Sequence, residues 1–222
     1  AIIQARMGST RLPGKVMKEI LGKPMLWHII ERVMRSKKIS GVVVATTRKS
    51  SDDPIVNLAV DIGVNYFRGS EKDVLSRYYY AARRFGADAI VRITADQVFM
   101  DPEVIDSAIN LFETGEYDLV GTGKSYPDGL DIDVFSFKTL ELANFNAKLP
   151  SEREHVCPYI INNYRVGILD NPLGNMSHER WSVDEPEDLT FAKKVYGELY
   201  KIGVVFNMKE INDLLKKKRW MK

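Results

Sequence analysis

Ala1-Ile2-Ile3-Gln4-Ala5-Arg6-Met7-Gly8-Ser9-Thr10-Arg11-Leu12-Pro13-Gly14-Lys15 is the stretch that decides the fold. A short apolar run, Ile2–Ala5, stops abruptly at Arg6. The loop behind it carries Gly8 and Gly14, the hydroxyls of Ser9 and Thr10, two arginines and a lysine. A helical pattern begins near Pro24. Strand, glycine-bearing basic loop, helix is the order in which α/β proteins build phosphate sites, because free backbone N–H groups and cations converge there. A plain crossover needs no such charge.

Outward from this stretch, short β-branched runs alternate with amphipathic segments. Strands are expected at Ile2–Ala5, Val42–Thr46, Asn65–Arg68, Ala89–Ile93, Leu119–Thr122, Asp131–Phe135, Arg165–Leu169 and Glu179–Val183. Several are continuous apolar runs, as strands buried on both faces require. Between them, Leu26, Ile29, Ile30, Val33 and Met34 recur at helical spacing, as do Val104, Ile105, Ala108, Ile109 and Phe112. Asp101-Pro102, Asp52-Asp53-Pro54 and Asp184-Glu185-Pro186 each read as a helix start, with a carboxylate cap before a proline. The alternation predicts an α/β fold: a Rossmann-like, open, mostly parallel sheet with helices on both faces. Ligands of such sheets sit outside the carboxyl ends of the strands. That edge should hold Arg6 to Lys15, Thr46, Arg68, Thr94-Ala95-Asp96, Asp131-Ile132-Asp133 and Asp184.

Composition narrows the function. With 32 basic and 30 acidic residues in 222, the net charge is +2, which gives no reason to expect nucleic acid as the partner. No apolar run approaches the roughly 18 residues of a membrane span, and no secretory signal is visible. Cys157 is the single cysteine, which excludes an internal disulfide and suits a reducing compartment. A soluble cytoplasmic protein with no membrane partner is the expectation. The basic Lys216–Lys222 stretch reads as a solvated helix end.

The basic loop is not a P-loop: the gap between Gly8 and Gly14 is one residue longer than in Gly-x-x-x-x-Gly-Lys, and Val16 follows Lys15 where Ser or Thr belongs. Arg6, Arg11 and Lys15 can surround a triphosphate instead, with Ser9 and backbone amides donating. Asp96 and Asp184 should share a sheet edge with this loop. Two carboxylates from separate strands suit Mg²⁺, which keeps water and substrate phosphates as its remaining ligands; each is also an ordinary helix cap. Asp131 and Asp133 form a DxD triplet whose side chains would point the same way on a strand. Ser151 and Glu154 have the spacing of a capping box, which leaves Glu152, Arg153 and His155 without a structural reason. With three histidines and one cysteine, a structural zinc site is not expected.

Taken together, Ile3-Gln4-Ala5-Arg6-Met7-Gly8-Ser9-Thr10-Arg11-Leu12-Pro13-Gly14-Lys15 resembles the signature of the cytidylyltransferases that make activated sugar acids. These include the acylneuraminate and 3-deoxy-manno-octulosonate enzymes and the spore coat polysaccharide branch. The likeness continues through Phe67–Tyr78, Val91–Asp96, Tyr126–Phe135, Ser151–Val156 and Trp181–Leu189. It implies the nucleotide-diphospho-sugar transferase fold over 1–222, with nucleotide in the half spanning 1–122, sugar in 123–200 and a helical extension at 201–222. Asp96 and Asp184 match the family's Mg²⁺ ligands, and Arg11 and Lys15 its triphosphate contacts. One departure falls at Ala95-Asp96-Gln97-Val98, where the family reads Gly-Asp-Cys-Pro.

The expected reaction is Mg²⁺-dependent nucleotidyl transfer from an NTP, CTP by resemblance, to a sugar or sugar acid, for glycan or polysaccharide synthesis. Arg11, Lys15, Asp96 and Asp184 would be catalytic. Ala5, Arg6, Gly8, Ser9, Thr46, Arg68 and Arg77 would contact nucleotide, and Asp131, Asp133, Glu152 and His155 the sugar. Family members often pair, so a homodimer fits. Two other readings stay open at this point: a glycosyltransferase with metal on Asp131-Ile132-Asp133, and a non-catalytic nucleotide-binding partner protein.

Overall fold

The computed structural model describes residues 1–220; Met221 and Lys222, the end of the expected extension and basic tail, lie outside the described residues. Nine strands are formed among the described residues: β1 (Ile2–Gln4), β2 (Glu19–Ile20), β3 (Lys23–Pro24), β4 (Val43–Thr47), β5 (Asn65–Gly69), β6 (Ala89–Thr94), β7 (Leu119–Thr122), β8 (Asp133–Ser136) and β9 (Val166–Leu169). The helices are α1 (Met25–Val33), α2 (Asp53–Ile62), α3 (Val74–Arg84), α4 (Pro102–Phe112), α5 (Phe137–Asn146), α6 (Pro150–His155), α7 (Pro158–Asn163), α8 (Pro186–Leu199) and α9 (Met208–Lys218).

Seven strands form one sheet in the order β5-β4-β1-β6-β8-β7-β9, and β2-β3 make a separate hairpin. β5, β4, β1 and β6 are mutually parallel, as are β7 and β9, while β8 runs antiparallel to both its neighbours. Central β1 sets Ile3 level with Val44 on one side and Ile93 on the other. Successive side chains on a strand face opposite ways. Accordingly Ile3, Val44 and Ile93 pack with Leu26, Ile29 and Ile105 of α1 and α4, whereas Ile2, Val43 and Ala45 pack with Leu75 and Tyr78 of α3. Both faces of the sheet are therefore buried, which is why its central strands are continuous apolar runs.

Two expected strands differ. Glu179–Val183 is not a strand: it makes one isolated bridge, Asp128 to Arg180. Its N–H groups are taken by a turn and a loop instead, Trp181 N and Ser182 N donating to Asp128 O, and Val183 N to Asp96 O. The run Asp131–Phe135 enters the sheet only at Asp133, because the Asp131 carboxylate folds back to accept the N–H of Gly129. The proline helix starts divide. Asp101 caps α4 by accepting from Glu103 N at 2.9 Å. At α8 the cap comes from inside the helix, Asp188 accepting from Asp184 N and Glu185 N, both at 3.0 Å. Asp52 caps nothing with its side chain; its carboxylate is turned onto the first loop. Among the described residues no helix is long and apolar enough to cross a membrane.

Candidate active site

β1 and β6 lie side by side, but the chain leaves β1 toward β4 on the far side. The crevice outside their carboxyl ends is the switch point of the sheet, and the loop after each strand borders it. The Arg6–Lys15 loop closes on itself: the carbonyl of Met7 accepts from Ser9 N at 2.8 Å and Gly14 N at 3.1 Å. Gly14 holds φ +67, a left-handed conformation that glycine adopts without strain. The Met7 N–H donates to Asp52 Oδ1 at 2.8 Å. Asp52 is buried and also accepts the Thr47 hydroxyl, so a carboxylate behind the sheet edge pins the loop. Leu12 is buried as its apolar anchor, and Ser9 Oγ accepts from Leu12 N.

This geometry throws Lys15 inward. Its Nζ donates to Asp96 Oδ2 at 3.1 Å, to Asp184 Oδ1 at 2.8 Å and to the Val183 carbonyl at 3.1 Å. Asp96 follows β6 and also accepts the Thr94 hydroxyl. Asp184 meets Arg11 at 2.9 Å and Arg180 at 3.2 Å. Burial alone would raise its carboxyl, but the hydrogen bond from Lys15 and the charges of Lys15, Arg11 and Arg180 hold it below the usual carboxylate range. The structure thus brings together the four residues expected to be catalytic.

A cleft of about 1020 Å³ opens over this cluster, and Ala5, Arg6, Gly8, Ser9, Arg11 and Arg77 border it. A Cβ on Gly8 would meet no atom of the protein within 4 Å, so that stretch of backbone lies open to the cleft. Arg77 is 2% exposed. Its Nη1 donates to the Ser70 carbonyl at 2.7 Å, and its Nε has no partner. Burial pulls its pKa down. A second cavity of about 360 Å³ adjoins the first, bordered by Asp131, Asp133, Gln97 and Cys157; Thr94 and His155 border both.

Three expected contacts lie elsewhere. Thr46 is fully buried inside β4. Arg68 points to the sheet face opposite α3, donating to the carbonyls of Thr47 and Lys49 and pairing with Asp53. Glu152 caps α6, accepting from Lys148 N and Leu149 N at 2.9 Å each. The cap therefore sits two residues before the expected Ser151–Glu154 box, because α6 starts at Pro150. Asp133 is paired with Arg92 at 2.9 Å, and Asp131 lies outside the strand, so the two carboxylates do not form the side-by-side pair expected of DxD. Sequence reasoning missed Asp52 and Arg180, whose partners come from remote or irregular segments. Gln97, the departure after Asp96, is buried; its amide accepts from Thr94 N and donates to the Asp131 carbonyl. It locks the turn after β6 to the wall of the second cavity.

A cationic loop paired with two carboxylates at the switch point of a mostly parallel sheet is the frame of a nucleotidyltransferase of the nucleotide-diphospho-sugar fold. The family model described as cytidylyltransferase matches residues 1–195, and the chain belongs to the cytidylyltransferase family. It is 34% identical over 206 residues to the spore coat polysaccharide biosynthesis protein SpsF of Bacillus subtilis, covering 88% of this chain and 85% of that one. A 3-deoxy-manno-octulosonate cytidylyltransferase of Geobacter sulfurreducens is 38% identical over 127 residues, 56% of this chain and 49% of that one. The solved structure of a cytidylyltransferase from Leptospira borgpetersenii superposes with TM-score 0.92 at 32% identity, covering 99% of this chain and 94% of that one.

Proposed function

We propose that the protein transfers a cytidylyl group from CTP to a sugar acid, in Mg²⁺-dependent fashion, with release of pyrophosphate. The observation that carries this reading is the convergence of Asp96 and Asp184 on Lys15 beside the Arg6–Arg11 loop. A hydroxyl oxygen of the acceptor forms a bond to the α-phosphorus as its O–H bond breaks and the proton passes to solvent, the bond from that phosphorus to the bridging oxygen breaks, and pyrophosphate leaves with the electron pair. Arg11 and Lys15 neutralise charge on the departing pyrophosphate. Arg77, a buried guanidinium that borders the cleft, supplies positive charge beside the nucleotide. Holding the two substrates in the joined cavities supplies proximity.

The residues present fit a divalent cation. A cationic nitrogen already contacts one oxygen of each carboxylate, and oxygen donors are what Mg²⁺ prefers. Among the described residues no third acidic, His or Cys side chain joins them, so phosphate and water oxygens would complete its shell. Asp96 and Asp184 would hold the ion, which would supply Lewis-acid charge neutralisation to the transfer. The glycosyltransferase reading is disfavoured, because Asp131 lies outside the strand and folds back onto Gly129 N, so Asp131 and Asp133 do not form the side-by-side carboxylate pair it needs.

The test is consumption of CTP, GTP and UTP with pyrophosphate release, against 3-deoxy-manno-octulosonate, nonulosonic acids and sugar phosphates. Turnover with CTP and a sugar acid is expected. Absence of both turnover and Mg²⁺-dependent NTP binding overturns the proposal.

A further inference from the structure

The wall shared by the two cavities is built on a strained joint. α6 ends at His155 and α7 begins at Pro158. Between them Val156 adopts φ +70 and ψ −58, and Cys157 N donates to the His155 carbonyl at 2.8 Å. These are the dihedrals and the hydrogen bond of the classic γ-turn, which is rare and strained. A β-branched residue at such φ is an outlier that persists only where its surroundings over-determine it. Here they do. Val156 is fully buried in the core on the α3 face of the sheet. Its N–H donates to the Glu152 carbonyl. Arg153, one turn earlier, ties α6 to Asp73 and Asn144.

The residues flanking this turn are the ones that face the cavities. Exposed His155 borders both of them, and Cys157 borders the second, its Sγ 3.3 Å from Asp133. A relaxed backbone at Val156 would redirect His155 and Cys157 relative to each other. Outliers of this kind cluster at sites where geometry serves function.

We infer that Val156 is a positioning residue: its γ-turn sets the His155 imidazole at the junction of the nucleotide and acceptor cavities, where it meets the acceptor group about to receive the nucleotide. This rests on the nucleotidyl-transfer reading above. The imidazole can donate to an acceptor hydroxyl or carboxylate, or accept from a hydroxyl.

The test uses the full chain with ring-labelled histidine, in wild type, Val156→Gly and Val156→Ala. The His155 signal is identified among three by its loss in His155→Asn. At an ordinary buried position alanine is more stable than glycine; here Val156→Gly should melt above Val156→Ala by about 2–4 °C. Adding Mg²⁺ and CTP should shift the His155 signal in wild type and in Val156→Gly, which holds the left-handed turn without strain, and leave it unmoved in Val156→Ala. CTP affinity by calorimetry should stay within about twofold in both variants, since the nucleotide grip lies on other elements, while KM for the acceptor rises about tenfold or more in Val156→Ala, with a smaller change in kcat. The inference is overturned by any of three results: alanine melting above glycine, a Val156→Ala protein whose His155 signal still responds to CTP, or an unchanged acceptor KM in Val156→Ala. Wild type that turns over while Val156→Ala behaves like it removes only this inference. Wild type that neither binds CTP nor shifts His155 removes both readings.

Discussion

Lys15 concentrates the chemistry of the site in one nitrogen. Its ammonium contacts both Asp96 and Asp184 with its side chain only 13% exposed, so either a divalent cation or a triphosphate must compete for what it already holds. Lys15→Met should therefore act in opposite directions on the two. CTP turnover should fall by about 10²–10³-fold, the usual cost of removing one charge-stabilising donor. Binding of Mn²⁺ to the nucleotide-free protein, followed by electron paramagnetic resonance, should tighten, because the two carboxylates lose their resident cation. An unchanged or weaker Mn²⁺ affinity would show that the carboxylate pair is not where the ion binds. Arg11, Lys15 and Asp96 were legible in the sequence because each follows a strand or lies in the first loop; Asp184 was legible through the resemblance over Trp181–Leu189, since the strand expected before it does not form. Thr46, Arg68 and Glu152 were not. Which face of a strand a residue takes, and whether a carboxylate caps a helix, depend on where the element starts, to within a single residue.

At the scale of elements, the site depends on a turn that borders neither cavity. Asp128-Gly129 lies against Trp181-Ser182: Asp128 O accepts from both N–H groups, and Ser182 Oγ donates to Asp128 Oδ2. Gly129 has φ +104, and a Cβ there would stand 2.4 Å from Ser182 N. The turn occupies the place where a strand pairing at Glu179–Val183 would have formed. Trp181 and Val183 stand two apart, as on one face of a strand, but the segment satisfies its backbone groups with a turn rather than a ladder. Gly129→Ala should therefore destabilise by about 2–4 kcal/mol, combining a backbone clash with strain at positive φ. It should also displace Asp184, two residues past the contact, so activity should fall even at temperatures where the variant stays folded. Chemical denaturation and kcat measured on the same samples separate the two effects; loss of stability alone would mean that the turn does not position Asp184. The sheet order itself was only partly legible. Runs of Val and Ile mark buried strands, but the antiparallel insertion of β8 between β6 and β7 follows from the path of the connections, which no local pattern records.

Over the whole molecule, the aromatic contact between α1 and α8 carries a pH response distant from the site. His28 of α1 is 1% exposed and packs edge-on against Tyr196 of α8 and against Tyr200 just beyond it. Its Nε2 lies 2.8 Å from the Ile20 carbonyl, which can only accept, so the ring proton sits on Nε2; Nδ1 is buried with no partner. A second proton would have to be placed on Nδ1 in that environment. Burial lowers the pKa of His28 below its ordinary 6.5; the Ile20 carbonyl opposes this, and the charges of Arg32 and Lys23 add to the lowering. The unfolded chain therefore binds more protons than the folded one once the pH drops through about 6.5. Stability from the neutral ring is complete above that value and is lost as the pH falls toward the lowered folded-state pKa. The melting temperature should decline across this window in wild type. His28→Phe removes the titrating group and keeps the aromatic contacts, so its melting curve against pH should be flatter there, at the cost of the Ile20 hydrogen bond, roughly 0.5–1.5 kcal/mol. Parallel curves for the two proteins would show that His28 does not set the acid response.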